Sequence, residues 1–345
     1  MRVDTAHSVT DTRNRPIRDL RISVTDRCNF RCTYCMPREV FGPGYAFVSR
    51  DQLLTLEEIA RITKVFAMAG MRKVRITGGE PMIRRNLEHL IAMIAAIDGV
   101  EDISMTTNGS MLSAGRAREL KRAGLKRLTV SLDALDDETF KRINDVDYPP
   151  SRVLDGIENA RAAGFVGIKV NAVVRRNFNE HAVLPLVEQF RHTDCIVRFI
   201  EFMDVGETNG WNLEDVIPAR ELVRQIQARY PMEPVSPNYQ GEVAKRWRYR
   251  DGAGEIGFIT SVTESFCGGC SRARLSAVGQ VYTCLFGTEG HDLRAPLRSG
   301  ASDAQLLRQL TQVWQGRTDR YSELRSQYSQ AVQGRPKVEM SHIGG

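Results

Sequence analysis

The stretch LRISVTDRCNFRCTYC, residues 20–35, joins a run rich in strand-forming residues to a loop with three cysteines. Cys28, Cys32 and Cys35 follow the run at intervals of four and three residues. Three neighbouring thiols are an odd number, which an internal disulfide scheme leaves incomplete. The loop therefore indicates metal binding or catalysis at the end of a strand.

The same strand-forming composition recurs through the first two-thirds of the chain and alternates with helical patterns. Two clear helical segments are LEEIARITKVFAMAG and NLEHLIAMIAAIDG, the first of which closes on a glycine. The six predicted strands are residues 20–25, 73–78, 102–108, 127–133, 168–174 and 196–202. Strand and helix in repeated alternation predict a parallel sheet, and both an open doubly wound sheet and a TIM-like barrel satisfy the pattern.

The rhythm changes after about residue 240. The runs EVAKRWRYR, EIGFITSV, ARLSA and QVYTC are separated by turns, which predicts an antiparallel appendage. A helical tail is expected over residues 303–333. Gly252, Gly254 and Gly257 form a G-x-G-x-x-G pattern that opens no helix, so we interpret it as a hairpin turn and not as a nucleotide-binding loop.

Composition restricts the class of protein and of ligand. The 345 residues contain no apolar run near the ~18 residues that span a bilayer, and the polar N-terminus lacks the apolar core of a secretory signal, so we expect a cytoplasmic protein. The net charge of +6 favours an anionic ligand. Because the basic residues are dispersed, a phosphate-bearing small molecule fits better than a duplex, although composition alone leaves nucleic acid open.

Six of the seven cysteines form two trios, each one ligand short of a complete four-cysteine site. The seventh, Cys195, lies in a predicted buried strand and is interpreted as a core residue. The first trio, Cys28, Cys32 and Cys35, fits a zinc site completed by a distant side chain, or an iron–sulfur cluster with one open iron. The second trio, Cys267, Cys270 and Cys284, also fits a zinc ribbon or a thioredoxin-like pair, although its strand context disfavours the latter.

Small and hydroxylated residues follow several predicted strands, in the segments TGGEP, TTNG and SLDA. Ligand sites in α/β proteins lie at the carboxyl ends of strands. We therefore expect these segments and the first trio to share one opening, and we expect the two trios to face each other across it.

CNFRCTYC followed by GGEP resembles the radical S-adenosylmethionine superfamily. The resemblance implies an incomplete TIM-like (β/α)6 barrel that carries a 4Fe–4S cluster on Cys28, Cys32 and Cys35. It also implies that S-adenosylmethionine chelates the open iron and is cleaved reductively to a 5′-deoxyadenosyl radical. The positions that match the superfamily's S-adenosylmethionine site are Tyr34, Gly78, Gly79, Ser131 and Met203.

From about residue 21 to residue 345 the chain is similar to one family of that superfamily, the GTP 3′,8-cyclases of molybdenum cofactor biosynthesis. The shared segments include RFIEFMDVG, GEVAK, CLF and the terminal GG. The resemblance implies a second 4Fe–4S cluster on Cys267, Cys270 and Cys284, which binds the guanine of GTP. It assigns GTP binding to Arg21, Arg75, Thr106, Lys169, Arg272 and Arg274, and places Lys73, Arg198, Gly344 and Gly345 near the reaction.

The family resemblance also sets expectations for domains and partners. It divides the chain into a flexible segment 1–18, a partial barrel 19–239 and an auxiliary-cluster region 240–345 with the antiparallel appendage, the helical tail and the GG end. It implies a homodimer, an electron donor such as flavodoxin or ferredoxin, a downstream cyclic pyranopterin monophosphate synthase, and no nucleic-acid or membrane partner. Two other hypotheses remain at this point, namely a peptide-modifying radical enzyme and an electron carrier with two clusters.

Overall fold

The computed structural model describes residues 8–239, 241–325 and 337–344. Its centre is one twelve-stranded sheet, and the helices of the first two-thirds of the chain alternate with its strands. The strands are β1 Asp19–Ser23, β2 Lys73–Thr77, β3 Asp102–Thr107, β4 Arg127–Ser131, β5 Lys169–Val174, β6 Ile196–Glu201, β7 Met232–Val235, β8 Lys245–Tyr249, β9 Glu255–Ile259, β10 Arg272–Leu275, β11 Gln280–Tyr282 and β12 His291–Asp292.

All six strands predicted for the first two-thirds of the chain are confirmed, with slightly shorter bounds. The α-helices that lie wholly within the described residues are α1 Leu56–Met68, α2 Leu87–Ala95, α3 Ala114–Arg122, α4 Asp137–Asn144, α5 Pro150–Ala162, α6 Val183–Phe190, α7 Ala219–Gln227, α8 Arg294–Arg298, α9 Asp303–Gln315 and α10 Met340–Ile343. Thr55 begins α1 with a capping box, in which its hydroxyl accepts from Glu58 N at 3.1 Å and Glu58 Oε2 accepts from Thr55 N at 2.8 Å. Such a cap stabilises a helix by about 1 kcal/mol.

The strand order is β12-β11-β10-β1-β2-β3-β4-β5-β6-β9-β8-β7. Strands β1 to β6 are parallel, as predicted. The hairpins β8–β9 and β10–β11 are antiparallel, as predicted. Gly252 and Gly254 lie in the predicted hairpin turn between β8 and β9, whereas Gly257 lies within β9. The appendage is nevertheless part of the main sheet, because β9 pairs in parallel with β6 and β10 in parallel with β1.

Side chains along these strands point alternately into the hydrophobic core and into a cavity. Leu20 and Ile22 on β1 and Val74 and Ile76 on β2 are buried in the hydrophobic core, together with residues of α1 and α2. Their neighbour Arg21 lies on the opposite face, because successive side chains of a strand point to opposite sides. The parallel sheet therefore carries an apolar face toward its helices and a strongly polar face on the other side.

The remaining predictions concern the ends of the chain and Cys195. Cys195 is buried in the core, as predicted. Residues 8–18 are packed against the rest of the described chain: Val9 N donates to Ala69 O at 3.0 Å, and Ile17 is fully buried. The predicted helical tail corresponds to α9 and the helical residues 321–325, while residues 326–336 lie outside the described part of the chain. No helix within the described ranges is long and apolar enough to span a membrane.

Candidate active site

The polar face of the sheet lines a cavity of about 690 Å³. Side chains from β1 to β6 and from β10 contribute to its wall. All six cysteines of the two trios also line it, together with every residue assigned above to S-adenosylmethionine or GTP. The cavity therefore brings together residues that lie more than 250 positions apart in the sequence.

The first trio lies in the loop that follows β1, and backbone hydrogen bonds hold this loop from two sides. On one side Gly79 N donates to Thr25 O at 2.8 Å and Glu80 N donates to Arg27 O at 2.9 Å. On the other side Arg31 N donates to Asn144 O at 2.9 Å, at the end of α4. These hydrogen bonds fix the position of the cysteine loop relative to β2 and α4.

The two glycines of TGGEP are required by this packing. A Cβ on Gly78 would lie 2.6 Å from Thr25 O, and one on Gly79 would overlap Arg27 O. Their lack of a side chain lets the segment after β2 approach the cysteine loop, a close contact typical of glycine. This explains the motif from the chain itself, and a contact of Gly79 with S-adenosylmethionine remains a prediction.

The first trio suits a positively charged inorganic group. Burial, followed by the charge of Glu80, raises the pKa of Cys28 to about 12. Burial and the neighbouring cysteines also raise the pKa of Cys32, and burial and Cys28 raise that of Cys35. Three thiolates at this site therefore need a cationic centre such as iron to balance their charge.

Two buried carboxyl groups accompany the first trio and were not singled out from the sequence. Glu80 is 1% exposed and accepts from Thr107 Oγ1 and Asn108 N, both at 2.7 Å, and burial raises its pKa to about 7. Asp133 accepts from Tyr34 Oη at 2.9 Å and from Val173 N at 2.8 Å, and burial raises its pKa to about 6. Their presence in GGEP and SLDA was the available sequence signal.

The second trio lies toward the other end of β1 from the first trio, and both trios line the same cavity. Arg272, two residues after Cys270, pairs with Asp19 at the start of β1, and Ser271 O accepts from Asp19 N at 3.1 Å. Cys28 instead follows the end of β1, whose five residues span about 17 Å at ~3.3 Å per residue. The parallel pairing of β10 with β1 is the cause, because it returns the chain to the beginning of that strand.

The β10–β11 hairpin brings Cys284 back to the same end, because Tyr282 pairs with Arg274 in antiparallel register. Burial opposes ionisation of Cys270, but the Arg272 and Arg317 guanidiniums lower its pKa to about 6. Both Arg272 Nη2 and Arg317 Nη2 donate to Cys270 Sγ at 3.3 Å. Burial raises the pKa of Cys284 to about 12.

Neither trio is arranged as a ligand set for a single metal ion. Within residues 8–239, 241–325 and 337–344, no three His, Cys, Asp or Glu side chains form a group that could hold one ion. The cluster assignment therefore rests on the donor type, on the burial described above and on the relationships reported below.

Between the trios runs a row of basic side chains. Arg274, Arg21 and Arg75 stand side by side on β10, β1 and β2. Burial lowers the pKa of Arg21, and the positive charges of Arg274 and Arg75 lower it further. Burial also lowers the pKa of Arg274. These guanidiniums keep their protons, and they form no carboxylate ion pair in the described part of the chain. The row therefore suits a polyanionic ligand.

The other predicted substrate residues continue this row. Arg75 Nη1 donates to Thr106 Oγ1 at 3.1 Å, and Arg198 Nε donates to Asn171 Oδ1 at 2.9 Å. Burial and, to a smaller extent, the positive charge of Arg198 lower the pKa of Lys169 to about 8. These basic residues lie within strands or at their starts. The Lys73 ammonium lies 3.3 Å from the centre of the Tyr239 ring.

The C-terminal tail reaches this row. The Arg274 Nη1 group donates to the carbonyl oxygen of Gly344, directly after α10. Gly344 has a φ of +73°, and a Cβ at this position would overlap Thr77. Gly345, which was predicted to act with it, lies outside the described residues.

Two family models match successive parts of the chain, and each part contains one of the two cysteine trios. The family model of the radical SAM superfamily matches residues 22–190, and the model described as Molybdenum Cofactor Synthesis C matches residues 195–323. The chain is 52% identical to a GTP 3′,8-cyclase of Acidothermus cellulolyticus over 98% of this chain and 99% of that protein. It is 48% identical to a GTP 3′,8-cyclase of Staphylococcus haemolyticus, with the same coverage of 98% and 99%.

Among solved structures, the chain is similar to SuiB of Streptococcus suis bound to S-adenosylmethionine. The TM-score is 0.61 at 14% identity, covering 89% of this chain and 70% of SuiB. At this level of identity the likeness shows the shared α/β fold and nothing about the reaction.

Proposed function

The chain belongs to the GTP 3′,8-cyclase family of radical S-adenosylmethionine enzymes, and from that premise we propose how its cavity converts GTP to 3′,8-cyclo-7,8-dihydro-GTP. The observation that carries the proposal is the arrangement of the cavity wall. A cysteine trio lies at each end of β1, and buried, carboxylate-free arginines lie between them. One polyanionic substrate in this cavity can therefore meet both ends at once.

The first trio would hold the cluster that binds S-adenosylmethionine. The cluster and S-adenosylmethionine together would supply a 5′-deoxyadenosyl radical for hydrogen abstraction from the ribose. Tyr34, Gly79, Ser131 and Met203 line the same cavity and would contact the cofactor. Glu80 and Asp133 add two carboxyl groups at this end, which suit a ligand with an ammonium and a sulfonium group. The role of the protein is to position the reacting atoms and exclude water.

The second trio would hold the cluster that faces the guanine, and the basic row would bind the triphosphate. Arginine side chains match phosphate oxygens with two parallel hydrogen bonds. We assign phosphate binding to Arg21, Arg75, Lys169 and Arg274, with Thr106 orienting Arg75. The substrate would also be surrounded by Arg272, Lys73, Arg198 and the Gly344–Gly345 tail.

We also propose that the parallel strands curve into an incomplete (β/α)6 barrel around the substrate. Arg75 on β2 and Arg198 on β6 both reach Thr129 on β4, at 3.4 and 3.5 Å. Side chains from strands two positions apart meet in this way when a sheet is strongly curved. The barrel would comprise residues 19–239, with residues 240–345 as the auxiliary region and residues 1–18 as a leading segment.

The same family membership supports proposals about partners. Reductive cleavage of S-adenosylmethionine needs a low-potential electron donor, for which we propose flavodoxin or ferredoxin. We propose that the product passes to cyclic pyranopterin monophosphate synthase, that the enzyme acts as a homodimer, and that it works in the cytoplasm without nucleic acid.

Anoxic turnover tests the reaction. The reconstituted enzyme with dithionite, S-adenosylmethionine and GTP should form 5′-deoxyadenosine and the cyclised nucleotide in equal amounts. Arg272→Ala combined with Arg274→Ala should abolish the cyclised product. Arg248→Ala with Arg250→Ala has the same spacing on exposed positions and should leave turnover unchanged.

Two results would redirect the proposal. Full GTP binding by the Arg272→Ala, Arg274→Ala variant would indicate a different radical substrate, such as a peptide. Absence of 5′-deoxyadenosine with any reductant would instead favour an electron carrier.

A further inference from the structure

Arg15 belongs to the leading segment that the sequence predicted to be flexible, yet it is 2% exposed and contacts the second trio. Its Nη1 donates to Cys267 O at 2.9 Å and to Asp319 O at 2.7 Å, and its Nε donates to Asp11 Oδ2 at 2.6 Å. Its Nη2 is buried without a hydrogen-bond partner among the described residues, although Arg15 lines the cavity. A buried, unpartnered donor on a charged group is costly unless a ligand satisfies it.

Arg317 approaches the same trio from the end of α9 and is 4% exposed. Its Nη1 donates to Cys270 O at 2.7 Å, and its Nη2 donates to Cys270 Sγ at 3.3 Å. Arg317 Nη1 also lies 3.3 Å from Asp11 Oδ2, so both arginines share one buried carboxylate. Arg317 Nε reaches Asp319 Oδ2 at 3.3 Å, but that side chain is partly exposed.

The indole of Trp314 holds the two arginines in place. Its Nε1 donates to Arg15 O at 3.0 Å, and the Arg317 guanidinium lies 4.7 Å from the centre of its ring. Together with Arg272, three guanidiniums therefore surround the second trio, whereas the first trio has Glu80 and Asp133 nearby. Positive charge and N–H donors beside an iron–sulfur cluster stabilise its reduced form and raise its reduction potential.

We infer that Arg15 and Arg317 are positioning residues that orient the second trio and raise the reduction potential of the cluster bound there, independently of substrate. This inference rests on the proposed function only for the presence of that cluster. It assigns to the leading segment a role in the auxiliary site, which lies more than 250 residues away in the sequence.

The test is an EPR-monitored reductive titration of the anoxically reconstituted full-length enzyme, without GTP or S-adenosylmethionine. Cys270→Ala identifies the spectral component of the second cluster by its loss. Arg15→Gln and Arg317→Gln should each shift the midpoint of that component to a lower potential. Arg15→Lys retains the charge but loses the fork of donors, so it should shift the midpoint less than Arg15→Gln does.

Two controls separate this effect from general damage. Arg13→Gln removes a nearby arginine that is exposed and pairs only loosely with Glu323 at 3.8 Å, and it should leave both components unchanged. Arg15→Gln alone leaves Asp11 buried without that partner, so Arg15→Gln with Asp11→Asn removes both charges and protects folding. The double substitution leaves the local net charge unchanged. It should therefore shift the midpoint less than Arg15→Gln alone, by the amount that the lost hydrogen bonds contribute.

The outcomes are distinct. Midpoints unchanged in the Arg15 and Arg317 variants at full iron content, or equal shifts of both components, would overturn the inference while leaving the proposed function intact. Iron of only about four per chain in the unsubstituted enzyme, with no component lost in Cys270→Ala, would overturn the proposed function and the inference together.

Discussion

The two ends of the cavity carry the same number of cysteines in opposite electrostatic surroundings. At the first end, burial raises the pKa of all three thiols, and the Glu80 carboxyl group raises that of Cys28 further, although Arg31 Nη1 donates to Cys28 O at 2.8 Å. At the second end, guanidiniums lower the pKa of Cys270 to about 6, although burial opposes this. The surroundings of the two trios therefore differ in charge, which fits our proposal of a cationic cofactor at the first end and a phosphate-bearing substrate toward the second.

The two ends also differ in how they are built. Residues 25–35 are held by the adjacent segment after β2 and by α4, so the first end belongs to the repeating strand–helix pattern. The second end is assembled from the leading segment, the β9–β10 loop, the β10–β11 hairpin and residues 317–319. The second end should therefore be more sensitive to substitutions far away in the sequence.

The largest expected effect comes from removing one cysteine at each end. Cys28→Ala and Cys270→Ala should each lower the iron content from about eight to about four per chain. Cys28→Ala should stop 5′-deoxyadenosine formation, whereas Cys270→Ala should retain S-adenosylmethionine cleavage and lose the cyclised product. Iron analysis and chromatography of the reaction products check both. Zinc at either trio, or loss of all iron in both variants, would break the comparison.

A smaller effect is expected from the basic row. Arg21→Gln removes a buried guanidinium beside Arg274 and Arg75, and charged hydrogen bonds contribute about 1.5–3 kcal/mol each. We therefore expect GTP to bind roughly 10- to 150-fold more weakly, with S-adenosylmethionine affinity unchanged. Arg18→Gln, three residues earlier and exposed, is the matched control for equilibrium binding measurements. Equal weakening of both ligands would show that the two ends are not electrostatically separate.

We expect a substitution in the C-terminal tail to have a smaller effect than a substitution in the basic row. Gly344→Ala places a methyl group against Thr77 at a left-handed φ, which costs about 1–2 kcal/mol from backbone strain alone. Tail docking should weaken by roughly 5- to 30-fold, measured as faster proteolysis of the tail and less cyclised product per 5′-deoxyadenosine. Gly210→Ala has a similar φ of +60° but no atom within 4 Å of its Cβ, so it should leave the tail protected. Equal proteolysis in both variants would exclude the steric explanation.

The smallest predicted effect is a pH dependence confined to the second end. Burial, and after it Arg198, lower the pKa of Lys169 to about 8, and a bound triphosphate favours the protonated amine. GTP affinity should therefore be level between about pH 7 and pH 8, where the terminal phosphate is ionised, and fall by at most about tenfold per pH unit above pH 8. Lys169→Arg should remove the fall because arginine stays charged. An identical slope in that variant would assign the titration to another group.

Local sequence patterns were enough to predict the repeating strand–helix part of the molecule. Six strands with intervening helices, two hairpins and a buried Cys195 followed from local periodicity and turn residues, because these patterns act over a few neighbouring residues. The two cysteine trios and the residues lining the cavity followed from motif spacing and family resemblance. Glu80 and Asp133 were within reach, since they lie inside the motifs GGEP and SLDA.

The position of the second trio depends on strand pairing between distant parts of the chain, which local sequence patterns do not record. The parallel pairing of β10 with β1 joins segments about 250 residues apart and places Cys270 at the start of β1, opposite Cys28. The contacts of Arg15 and Arg317 with that trio depend on the same long-range packing. No local periodicity records such contacts, because their free energy arises from burying charges and strands that meet only after the chain has folded.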